Sequence, residues 1–279
     1  MQLMEPIVSI WKMIGMVVTA VVSIGVPITL LVIWRKKTGA KVSAAICGAL
    51  MFVLFVFVLE NACHQLFIFG SNGLSSWIHN HVWAYVLYGG LAAGIFEETA
   101  RLISFRWLLR KQNDRSVGVM YGIGHGGMEA ILIAGVSMIS NFFFAISLNA
   151  GGADALLAQA VGQETMISAA IESIKSMPAS MFFVSGAERI TAMILQIALS
   201  VLVFQAARRS GKWYLYPVAI LLHAAVDWVA VLYQVGLLAN IIWVEIIVLA
   251  MTLVIAFWVY RLYRADAPRP QEPAELIEP

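Results

Sequence analysis

Charge is what this sequence is short of. Only 12% of its 279 residues are Asp, Glu, Lys or Arg, about half of what a soluble domain carries, while 61% are hydrophobic and the mean hydropathy is +0.85. That imbalance excludes an ordinary water-soluble domain. The net charge of +2 is too small, and its basic residues too dispersed between apolar runs, for a nucleic-acid-binding surface. Cysteine is nearly absent. Cys47 and Cys63 fall in one expected helix, where sixteen residues of rise separate them by about 24 Å, too far for a disulfide. The first residues lack the basic segment of a cleaved leader, so the opening apolar run reads as an uncleaved first helix.

What is present is a succession of apolar runs, each about 18 residues or longer and able to cross a hydrocarbon core of about 30 Å. Seven spans are expected, at 7–34, 43–69, 82–110, 117–147, 179–207, 213–235 and 239–262. The fold class is therefore all-α, a polytopic helix bundle forming one membrane domain over 1–265. The Pro- and Glu-rich stretch 266–279 reads as a disordered tail. Basic residues sit in alternate connections: Arg35, Lys36, Lys37 and Lys41; Arg106, Arg110, Lys111 and Arg115; Arg208, Arg209 and Lys212; Arg261, Arg264 and Arg269. The positive-inside rule then places the N-terminus outside and the C-terminus in the cytoplasm. The long connection 148–178 falls outside, and "ISAAIESIKSMP" within it has the spacing of an interfacial helix or a structured loop.

Against this background the ionisable residues inside the spans stand out, because such groups usually face a protein interior or a wet cavity. Glu97 and Glu98 lie 13 and 12 residues from Arg110. His125 and Glu129 lie 10 and 14 residues beyond Arg115, and His223 and Asp227 lie 11 and 15 beyond Lys212. At the helical rise all six fall roughly 15 to 23 Å from the basic markers, one depth on three helices. His125 with Glu129, His223 with Asp227, and Glu97 with Arg101 are each spaced i, i+4, so each pair shares a helix face. Glycines around His125 ("GIGHGGMEA") allow close helix approach beside the imidazole. A second group, Glu60, His64, Glu188, Arg189 and Glu245, sits farther from the markers and reads either as a vestibule or as an ion-pair network in which Arg189 pairs with Glu60. His79 and His81 read as solvated loop residues.

The inner group has enough acid and imidazole to activate water and hold an oxyanion. His125, Glu129 and His223 would also make a three-ligand zinc set with an open position. A proton or cation transporter is a third option, and structural polar glue a fourth.

Taken together, "EETAR" at 97–101, "GHGGMEAI" at 124–131, "ERITAM" at 188–193 and "HAAVD" at 223–227 resemble the YhfC family of intramembrane proteases. That family is related to the type II CAAX prenyl proteases and PrsW, whose motifs run in the same order on successive helices. The resemblance implies an intramembrane peptide hydrolase of a bacterial cytoplasmic membrane. Its substrate would be a membrane-protein or lipid-modified peptide, with the lipid bilayer as its other partner and no nucleic acid. It implies catalytic roles for Glu97, Glu98, His125, His223 and Asp227, supported by Arg101, Glu129, Glu188 and Arg189. The glutamic mechanism needs no cofactor; the metal-dependent alternative needs zinc. Two departures from the CAAX pattern are visible: the arginine lies one residue closer to the glutamates, and Asp227 stands where those proteases have Asn. The APH scaffold subunit of gamma-secretase, a non-proteolytic cousin by resemblance, keeps a non-catalytic reading open.

Overall fold

The computed structural model describes residues 6–159 and 162–266, so the expected tail beyond 266 lies outside the described residues. Within them every regular element is helical. The chain runs through α1 (Ile10–Thr38), α2 (Val42–Phe67), the short α3 (Gly73–Asn80), and α4 (Val82–Ile103) with a π-helical continuation at Ser104–Leu108. It continues through α5 (Ser116–Ala158), α6 (Glu164–Ser176), α7 (Ala179–Arg208), α8 (Leu215–Gln234) and α9 (Ile241–Ala265). Local chemistry sets several of these ends. Gly39 adopts φ 71° after α1 and returns its N–H to the Arg35 carbonyl, and the Asn240 side chain accepts the Ile242 N–H to start α9.

Six helices are long and apolar enough to cross a bilayer: α1, α2, α5, α7, α8 and α9. The remaining expected span coincides with α4, which at 22 residues is long enough but carries Glu97, Glu98 and Arg101. Most of the described residues in the expected connection 148–178 are helical, including the stretch read as a helix or a structured loop. α5 runs straight past residue 147, because nothing before Gly151–Gly152 interrupts it; Gly152 has φ 75° and ψ 171°. α6 then packs Ile171 and Ile174 against Met16, Leu148 and Phe182. His79 likewise lies in a helix, α3, with its Nε2 2.9 Å from the Ile68 carbonyl oxygen.

α7 is the hub. In its most apolar window 72% of residues are buried, against 17–33% in the other apolar spans, whose outward faces are left for lipid. Phe182 joins one apolar cluster at one end of α7, and Leu199, Leu202 and Phe204 join a second at the other, with Phe105 and Tyr121. Gln196 lies between them. Around this hub the helices approach closely through small residues. A Cβ on Gly124 of α5 would overlap the Ala45 carbonyl of α2, and one on Gly94 of α4 would meet the Ile220 carbonyl of α8 at 2.7 Å. These contacts draw the segments bearing Glu97, His125 and His223 inward.

Three π-helical stretches adjoin buried charge. Val53–Glu60 ends on Glu60, Ser104–Leu108 begins one turn past Arg101, and Ile131–Gly135 begins two residues after Glu129. Such widened turns recur at functional sites.

Two outcomes follow from this architecture. A reporter fused to the C-terminus should be active only in the cytoplasm, as seven spans with an external N-terminus require; activity only outside would give an even number. Gly124→Ala should lower the thermal midpoint in detergent, costing about 1–3 kcal/mol through overpacking. Gly25→Ala, whose added Cβ meets nothing within 4 Å, should leave it unchanged or slightly raised.

Candidate active site

Arg101 organises the centre of the bundle. Its side chain is fully buried on α4, and its Nη1 donates to Glu98 Oε1 at 2.5 Å while its Nη2 lies 3.4 Å from Glu97 Oε2. Nη2 also donates to the Gln196 side-chain oxygen, and Nε donates to Ser200 Oγ at 3.1 Å. A guanidinium presents five donors in a planar fork, so one residue can join two carboxylates on its own helix to two polar residues of α7.

The two glutamates then diverge. Glu97 Oε2 accepts from His125 Nε2 on α5 at 2.8 Å and from Gln196 Nε2 at 3.1 Å. Its other oxygen, Oε1, faces His223 Nε2 of α8 at 3.8 Å. Glu98 is fully buried, and its Oε1 accepts the Nδ1–H of His223 at 2.6 Å. That contact turns His223 Nε2 toward Glu97 and toward Asp227 Oδ2, 3.5 Å away. Buried polar atoms are normally paired, yet the second Glu98 oxygen and His125 Nδ1 have no protein partner among the described residues. The His125 ring is held by Tyr121, stacked at 5.9 Å, and by the edge of Phe52 at 5.2 Å.

The structure thus brings Glu97, Glu98, Arg101, His125, His223 and Asp227 together. Glu129 is placed differently from the expected helix-face pair with His125. It faces α7, where Arg189 Nη1 donates to it at 3.2 Å and Gln196 Nε2 at 2.6 Å. The reason is packing: Gly122 and Gly126 press the same face of α5 against Ile197, Gln196 and Met193 of α7. Arg189 does pair with a carboxylate of another helix as expected, but that partner is Glu129 and not Glu60. Arg189 is taken by Glu129 and Glu188, and Glu60 instead sits 3.4 Å from His64, whose other nitrogen meets the Tyr88 hydroxyl at 2.8 Å.

Gln196, which carries no charge, bridges Arg101, Glu97 and Glu129 and is absent from the expected site residues. An uncharged amide in the middle of an apolar span was its only trace in the sequence.

A cavity of about 190 Å³ opens beside this cluster. Glu97, His223 and Asp227 lie on one side of it, Glu129, Glu188 and Arg189 on another, and Glu245 and Thr252 of α9 close it.

The donor set fits a divalent metal in kind. His223, Glu97 and Asp227 line the cavity, His125 is bonded to Glu97, and the Nδ1 of His223 is tied to a carboxylate in the manner of a metal-ligating histidine. As they stand, the side chains are paired with one another, and no three His, Cys, Asp or Glu among the described residues are spaced to hold an ion. The expected triad of His125, Glu129 and His223 is not the one gathered, since Glu129 is engaged by Arg189 and Gln196; Asp227 Oδ2 lies 3.5 Å from the His223 Nε2.

Comparison with known proteins shows the family. A family model described as YhfC intramembrane metalloprotease matches residues 22–248. The "Uncharacterized membrane protein YhfC" of Bacillus subtilis (strain 168) is 34% identical over 238 residues, covering 85% of this chain and 91% of its own. No solved structure matches. The motif order, the buried cluster and these matches lead to one statement: this integral membrane protein belongs to the YhfC family, described as intramembrane metalloproteases.

Proposed function

We propose that this chain hydrolyses a peptide bond of a membrane-protein or lipid-modified peptide, with Glu97 taking the proton of the attacking water. The observation that carries this reading is the asymmetry of the Glu97 carboxylate. Three donors, from His125, Arg101 and Gln196, converge on Oε2, leaving Oε1 turned toward His223 beside the cavity. A base must be held in place yet keep a lone pair free, and this arrangement does both.

The steps follow from the placements. Water between Glu97 Oε1 and the substrate carbonyl gives its proton to Glu97 as its oxygen bonds to the carbonyl carbon. His223, held through Nδ1 by Glu98 and flanked by Asp227, uses Nε2 to donate to the developing oxyanion. The C–N bond then breaks, and Glu97 returns the proton to the leaving amine. Glu98 and Arg101 act as positioning residues. Glu129, Glu188 and Arg189 shape the cavity wall next to the reacting groups.

The metal-dependent reading is favoured by the His223–Glu98 pair and by the family's description. His125 and His223, with a carboxylate of the cluster, would hold the ion, which when bound would polarise the carbonyl and acidify a water. Against it stands Arg101, a fixed charge within 3.4 Å of Glu97 that disfavours a neighbouring dication.

Two measurements test these readings. Glu97→Gln, purified in detergent and shown to be folded by gel filtration, should lower cleavage of a membrane-peptide substrate by about 10²–10⁴-fold. Cleavage that survives the substitution removes Glu97 as the base, and ion flux in liposomes without peptidase activity would favour a transporter. Elemental analysis of protein prepared without metal-affinity resin should find no stoichiometric metal, with activity retained in strong chelator. Stoichiometric zinc, lost together with activity in His125→Ala or His223→Ala, would establish the metal-dependent mechanism instead.

A further inference from the structure

The wall of the cavity supplied by α9 has no part in the chemistry proposed above, yet it is built for contact. Glu245, Val248 and Thr252 are spaced i, i+3 and i+7, so they form one stripe, and all three line the cavity. Thr252 is fully buried, and its Oγ1 has no hydrogen-bond partner among the described residues. A buried hydroxyl left unpaired is destabilising, so a group entering the cavity gains by meeting it.

Charge adds a second requirement. Five carboxylates line the cavity, those of Glu97, Glu129, Glu188, Asp227 and Glu245, against Arg189 and His223. Glu97 is held by Arg101 and His125, Asp227 lies beside His223, and Arg189 is shared by Glu129 and Glu188. Glu245 is left without a salt-bridge partner among the described residues, one turn inside the start of α9. A carboxylate on a cavity wall with no salt-bridge partner draws a cation to itself.

Volume narrows the occupant further. About 190 Å³ admits one large side chain and a short length of main chain, but not a helix about 10 Å across. A substrate helix must therefore unwind locally, and unwinding frees main-chain groups that need partners.

We infer that α9 is the substrate-binding wall: Glu245 engages a lysine or arginine side chain of an extended peptide, and Thr252 hydrogen-bonds its main chain beside Glu97. This rests on the peptidase reading for the nature of the ligand, and the test keeps the two apart. A short fluorescein-labelled apolar peptide with one central lysine, and matched peptides with glutamate or alanine in its place, would be titrated by fluorescence anisotropy against the full-length Glu97→Gln protein in detergent. The lysine peptide should bind about tenfold more tightly than the others, equivalent to one charge-assisted hydrogen bond. Glu245→Gln should erase the preference and Glu245→Lys should turn it toward the glutamate peptide. Thr252→Val should weaken all three peptides alike, and Thr252→Ser should restore them. Equal binding of the three peptides to protein with an intact α9 overturns the inference without recourse to any α9 variant. Cleavage by the unsubstituted protein with no lysine preference also overturns it while leaving the peptidase reading in place. Lysine-selective binding with no cleavage by the unsubstituted protein supports the α9 wall and removes the peptidase.

Discussion

A guanidinium with no access to water holds this bundle's centre together. Arg101 sits one turn from two adjacent carboxylates, and each of those carboxylates reaches a histidine on a different helix. Through Gln196 and Ser200 the same group is fastened to α7. Two neighbouring carboxylates in a dry bundle repel each other, and a buried cation offsets that repulsion only when its geometry and hydrogen bonds are good. Removing one member of such a network typically costs about 3–5 kcal/mol, because it strands the rest. The placement of α4, α5, α7 and α8 around the cavity therefore depends on Arg101 as much as on apolar packing.

Arg189 does a parallel job higher on α7, where it takes Glu129 and Glu188. Between the two arginines lies Gln196, which donates to Glu97 and to Glu129. The amide links the two ion-pair networks without adding charge. It lets the cavity bring Glu97 and Glu129 close together while holding each in its own set of contacts. The π-helical turns near Arg101, Glu129 and Glu60 widen the backbone next to these buried charges. Helices packed through Gly124 and Gly94 hold the arrangement at close approach.

Much of this was legible from residue spacing. Depth along a helix is a count of residues, so Glu97, His125 and His223 could be placed at one level before any packing was known. The i, i+4 relation correctly put Arg101 beside Glu97, although the closer contact is to Glu98. Depth does not say which way a helix faces. Glu60 and Arg189 lie at similar depth yet find different partners, and Glu129 shares a face with His125 but turns toward α7. Helix rotation about its own axis is set by which neighbours its small residues meet, and those neighbours are remote in sequence.

The sequence by itself determined that the chain lives in a membrane, that its polar residues gather at one level, and which motifs mark its family. Those follow from composition and from a rise that every helix shares. Only the tertiary structure decided that His223 is turned by Glu98 toward Glu97 and Asp227, that Gln196 joins the two arginines, and that Thr252 faces the cavity unpaired. Each of those is a meeting between helices, fixed by glycine contacts and buried ion pairs such as Glu98 with His223, whose partners lie 125 residues apart along the chain.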